Sequence, residues 1–206
     1  VTKLAGNLEE LTMAAMKPET LAHRLGTTTH VSPLLMKARR LGLRVPEDLE
    51  RLAVQRGCDY YAGGGDLTTV AREAAPAAST MMADPASFSN EELAVALLSI
   101  GLPYSQHRVR LGAAMLAVGS NSARKLAQAA IHERCETVVR YIALCGSRVE
   151  PENTFWDELL RELPERPMPP VDTLPHITRF VAMTGFTRRG RETIMQWIRP
   201  VRNAAA

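Results

Sequence analysis

The sequence predicts a mostly α-helical protein, an antiparallel helical bundle or a short α-solenoid-like array, with a β-hairpin at its C-terminal end. Three observations carry this expectation. Aromatic residues make up only 5% of the 206 residues, while Ala, Leu and Met are plentiful; small and unbranched side chains lose little freedom on entering a helix. Helix-start signals recur, twice as an Asn or Ser followed three residues later by Glu (Asn7/Glu10 and Ser89/Glu92). Starts near 90, 105 and 121 are separated by short turns, and helices so connected pack antiparallel. No repeat of about 30 to 45 residues aligns within the chain, so a solenoid has no direct sequence support.

Asn7 opens a first helix that runs to about Met16, where Lys17-Pro18 interrupts it. Pro18 suits the first turn of a short helix ending near Gly26. The segment "GTTTH" reads as a loop, Ser32-Pro33 starts a helix that runs to Gly42, and Pro46 starts another that stops at Gly57. In that last helix Leu49, Leu52 and Ala53 share one face. "GGG" at 63–65 breaks the chain, and Asp66 caps "LTTVAREAA". Ser89 then opens "EELAVALLSIG" and Ser105 opens "QHRVRLGAAMLAVG". Both are apolar on nearly every face, as helices buried on several sides are. The stretch 121–146 reads as one long helix, and Asn153 or Thr154 opens "FWDELLREL", closed by Pro164. "PERPMPP" is a stiff, extended linker. Beyond it, 177–184 and 192–199 read as two strands joined through a Gly- and Arg-rich turn. Ile194, Trp197, Ile198 and Val201 also fit helical spacing. The organisation expected is a short N-terminal helical module over 1–75, a connecting segment over 76–88, a central bundle over 89–164, and a Pro-rich linker with a basic C-terminal element over 165–206. All four can equally form one domain.

Apolar residues at 46% and charged residues at 23% are a globular balance. A chain of this length buries enough surface for a core without disulfide or metal staples. Its three cysteines, Cys58, Cys135 and Cys145, are too few for a disulfide framework and point to a reducing, cytoplasmic setting. The longest apolar stretch, at 93–102, falls far short of a membrane span. The N-terminus has no charged, apolar, small-residue succession of the signal-peptide type. Neither a membrane nor a cofactor is expected.

"HERCETVVRYIALCG" at 132–146 holds a histidine and two of the cysteines. On one continuous helix, Ile131, Cys135, Val138, Ile142 and Cys145 form an apolar seam with both thiols inside it. The competing reading is a zinc site from His132 and Cys135, which needs at least one further protein ligand. The chain has no CxxC and no second His-x-x-Cys, so core thiols are expected and no metal. "YYAGGGD" at 60–66 lacks the phosphate-loop pattern and places an acid where an anion would sit. Ser122 and Lys125 match S-x-x-K, yet the companion motifs of serine acyl-enzymes are missing, and Ser122 reads as a helix cap. No catalytic motif stands, and the reading leans away from an enzyme.

The unusual signal is charge distribution. From Thr20 to Pro46 five bases (Arg24, Lys37, Arg39, Arg40, Arg44) meet no acid. From His176 onward six arginines (179, 188, 189, 191, 199, 202) meet only Glu192, so all but one of the 22 acids lie elsewhere. Clustered Arg binds phosphate and carboxylate. The first segment has the outline of a helix-turn-helix, but its turn is about six residues against the usual three or four. Leu34, Leu35 and Met36 also stand where base-reading groups belong. The expected function is therefore a non-enzymatic helical interaction or adaptor protein. Its binding surface comprises Arg179, Arg188, Arg189, Arg191, Trp197 and Arg199, and its partner is another protein or a second copy. The alternative is nucleic-acid binding through 20–46 and 176–206, with Lys37, Arg39, Arg40 and Arg44 as the first set of contacts.

Overall fold

A computed structural model describes residues 19–56, 58, 88–184 and 194–197, with side chains excepted at 181–184 and 194–197. The expected helices at 7–16 and 66–75 lie outside the described residues. The described chain is mostly helical.

Its N-terminal part is built from three short helices. Thr20 caps α1 (Leu21–Arg24), its hydroxyl accepting from the His23 N–H at 3.2 Å. The N–H groups of Leu21 and Ala22 donate to the carbonyls of Leu102 and Ile100, pinning this end to the middle of the chain. Ser32 caps α2 (Pro33–Arg40), with proline in the first turn where a missing N–H costs nothing. α1 and α2 end on Gly26 and Gly42, both at positive φ, and Thr27 and Leu43 donate back to Ala22 and Ala38. This is the left-handed stop that glycine permits. α3 (Glu47–Gln55) carries Glu47, Asp48 and Glu50 in its first turn and buries Leu49, Leu52 and Ala53, the face expected from their spacing.

The centre is α4 (Asn90–Leu97) against α5 (Gln106–Leu116). Ser89 and Glu92 form the expected capping box, both bonds present. Residues 93–97 are all buried, and so are nearly all of 108–116. A side chain at Gly112 would stand 2.6 Å from carbons of Leu98, so glycine sets this close approach.

The long helix expected over 121–146 is two helices, α6 (Ala123–His132) and α7 (Glu136–Val149). Between them Arg134 takes φ +54°, the Arg134 N–H donates to Ile131 and the Cys135 N–H to Ala130. These are the paired bonds of a helix stop that uses arginine where glycine is usual. The break turns the seam: Cys135, Val138, Ile142 and Cys145 are buried as expected, but Ile131 is 46% exposed. Asn153 caps α8 (Thr154–Glu162), which packs on both α6 and α7. Trp156 is fully buried with its ring against Gly146, and its indole N–H donates to Glu150 at 3.1 Å.

Beyond α8 the chain runs without regular structure to a 3-10 turn at Ile177–Arg179, a stretch expected to be strand. β1 (Val181–Thr184) pairs antiparallel with β2 (Ile194–Trp197), Val181 opposite Trp197. Residues 185–193, which hold the expected Arg-rich turn, lie outside the described residues, as do 198–206. β2 runs alongside α7. One contiguous core extends from Leu21 to Phe180. Among the described residues no helix is long and apolar enough to cross a membrane.

Candidate functional site

The first basic segment is largely consumed within the molecule. Lys37 lies on the side of α2 that faces α4, so its ammonium meets both oxygens of Glu92 at 2.8 Å and stands 4.8 Å above the Phe88 ring. Arg24 pairs with Glu19, lies 4.0 Å over the Tyr104 ring and donates to the carbonyls of Asp172 and Thr173 at 2.6 and 3.2 Å. Arg44 pairs with Asp48 one helical turn on. Arg39 and Arg40, in the last turn of α2, are exposed and have no partner among the described residues. The helix dipole favours a cation there. Acids from outside 20–46 thus fold onto three of its five bases.

The second basic segment is described at 176–184 and, by its backbone, at 194–197. The chain before it is tied down on its inner side. The Tyr141 hydroxyl donates to the Pro175 carbonyl at 3.0 Å, and buried Phe180 meets the Tyr141 ring edge-on at 6.4 Å. Arg179 is exposed at the end of the 3-10 turn. The Arg110 guanidinium has its pKa lowered, first by burial and then by the charge of Arg179. Arg188, Arg189, Arg191, Arg199 and Arg202 lie outside the described residues. Trp197 is placed by its backbone in β2.

The thiols are core groups. Cys58, Cys135 and Cys145 are free and buried. Burial pushes Cys58 up to about 12 and Cys145 up to about 11. Cys135 goes higher still, by burial and then by the neighbouring charges of Glu133 and Glu136. His132 points to solvent while Cys135 is enclosed, so the two cannot share an ion. Among the described residues no three His, Cys, Asp or Glu side chains converge as metal ligands would.

Two buried charges escaped notice in the sequence. Arg108, 7% exposed, donates to Glu50 at 2.9 Å and to the Pro103 carbonyl at 2.6 Å. Glu133, 1% exposed, accepts from the Leu34 N–H at 2.7 Å across 99 residues of sequence. Arg108 had one signal, a charge inside a run otherwise apolar on all sides. Glu133 had none, because its partner is a backbone group. A shallow cleft lies between the α5–α6 turn and the start of α8, lined by Val118, Gly119, Glu150, Glu152, Asn153 and Phe155. Glu150 is committed there to Asn153 and Trp156, at 3.0 and 3.1 Å. Among the described residues that line it there is no serine, threonine, cysteine, histidine or lysine.

No protein-family model, no curated protein and no solved structure matches this chain.

Proposed function

We propose that the protein is a non-enzymatic helical interaction or adaptor protein. Its helices are the scaffold, and its C-terminal element, with Arg179, Arg188, Arg189, Arg191, Trp197 and Arg199, is the contact surface. The partner is an acidic protein surface or a second copy that presents one. The observation that carries this reading is the one-sided docking of residues 172–180. Tyr141, Arg24 and the core hold their inner side, while Arg179 is left exposed. An exposed guanidinium at the edge of a docked segment can pair with a carboxylate of a partner. Trp and Arg are also the residue types that dominate interface energetics.

The reading requires Trp197 to be reachable. The chain has two tryptophans, so 5-fluorotryptophan labelling gives two fluorine resonances, and Trp197→Phe assigns them. The Trp197 resonance should shift between light and heavy water, whereas that of enclosed Trp156 should not. A Trp197 signal as insensitive as that of Trp156 removes the surface.

Nucleic-acid binding through 20–46 and 176–206 is the second reading. Exposed Arg39 and Arg40 favour it; the internal engagement of Arg24, Lys37 and Arg44 weighs against it.

A further inference from the structure

We propose that Pro164–Pro170 is a docking ligand in its own right, a polyproline II strap that fits the aromatic-lined groove of a proline-recognition domain on a partner protein. The sequence "PERPMPP" places Pro164, Pro167 and Pro170 three residues apart. Polyproline II has three residues per turn, so these three rings share one edge. The conformation is set in advance. Each proline ring fixes its own φ, and each residue before a proline is driven to extended backbone. Between Leu163 and Pro170 only Glu165 is neither a proline nor followed by one. Leu163 itself has φ −88° and ψ 140°.

The structure presents this strap rather than burying it. Leu163 and Leu174 anchor its two ends in the core. Arg166 donates twice to Glu136, at 3.1 and 2.9 Å, and fixes the middle against α7. Between the anchors, Glu165, Arg166, Pro167, Met168, Pro170 and Val171 are exposed, with Met168 at 56% and Val171 at 90%. Among the described residues no backbone hydrogen bond engages 165–169. Pro164 and Pro169 are half-buried and Pro167 and Pro170 exposed; free carbonyls, exposed proline rings and flanking apolar side chains on a pre-set backbone are what an aromatic-lined groove recognises. Little ordering entropy remains to be lost on binding. This stretch is separate in sequence from the C-terminal arginines and Trp197.

The test uses the full chain against an array of purified SH3 and WW domains, with free decaproline as competitor. At least one domain should bind saturably and be displaced by decaproline. Pro167→Ala with Pro170→Ala should weaken that binding tenfold or more while the chain stays folded, with only a small fall in melting temperature from its freer unfolded state. Arg188→Ala with Arg189→Ala should leave it intact, which separates this surface from the C-terminal one. The proposal is overturned if no domain binds, if decaproline fails to displace the bound domain, or if the double proline variant binds as the parent does.

Discussion

Glu133 lends a carboxylate oxygen to a helix it does not belong to. In the first turn of α2, Pro33 has no N–H, the Leu35 N–H goes to the Ser32 hydroxyl, and the Met36 N–H goes to the Ser32 carbonyl. That leaves the Leu34 N–H, and Glu133 takes it at 2.7 Å. An unmet donor shielded from water costs about 1–3 kcal/mol, so Glu133→Ala should lower the unfolding free energy by that much, read as a lower denaturant midpoint at an unchanged slope. Glu133→Gln keeps an acceptor oxygen and should lose less. Equal losses in the two variants would mean that shape, not the hydrogen bond, sets the cost. The thiols make a second prediction at this scale. Their ordinary value is 9.0, and Cys145 and Cys58 are raised to about 11 and about 12 by burial. Below pH 9 the thiols are protonated in both states, and their contribution to stability is fully present. Above it the unfolded chain ionises first, so stability falls as pH rises towards 11 and 12. Native protein at pH 8 should therefore react with a thiol reagent only slowly, and all three cysteines should react at once in denaturant. Rapid native labelling at Cys135 would contradict its burial.

At the level of elements, caps were legible and one break was not. Ser32-Pro33, Ser89/Glu92, Ser105, Ser122 and Asn153 open their helices as their side-chain chemistry dictates. Gly26 and Gly42 close α1 and α2. By contrast, "HERCE" contains neither glycine nor proline, and helical spacing of apolar residues runs straight through it. What ends α6 is tertiary: Glu133 is drawn in to cap α2, and Arg134 takes the left-handed conformation. The seam was accordingly right for Cys135 to Cys145 and wrong for Ile131. Which charges face outward was less legible still. Segment composition shows charge but not pairing, and the acids that neutralise Arg24, Lys37 and Arg44 come from Glu19, Glu92 and Asp48, outside the acid-free run. The break carries its own prediction. A non-glycine residue in this conformation costs about 1 kcal/mol, part of which glycine returns through its freer unfolded chain. Arg134→Gly should stabilise the protein by about 0.5 kcal/mol, read as a higher denaturant midpoint. A lower midpoint would show that the arginine side chain makes a contact worth more than the strain.

For the whole molecule the question is how much of its positive charge reaches outward. The formal net charge is +3, a weak overall field, so any affinity for nucleic acid must come from local clusters. In 20–46 the fold leaves Arg39 and Arg40 as the exposed, unpaired bases among the described residues. Each phosphate contact contributes about 0.9 to the slope of log affinity against log salt on duplex DNA. If this segment takes part in binding, Arg39→Ala with Arg40→Ala should reduce that slope on a random duplex by at most about 2. Arg24→Ala should leave the slope alone while lowering stability, because its guanidinium joins α1 to Asp172 and Thr173. The two variants together discriminate. A slope that survives loss of Arg39 and Arg40 removes 20–46 from any nucleic-acid surface and leaves the C-terminal arginines alone to account for binding. A slope that falls with Arg24→Ala instead would mean that the internal pairs open in solution, and that the inward-turned charges count after all.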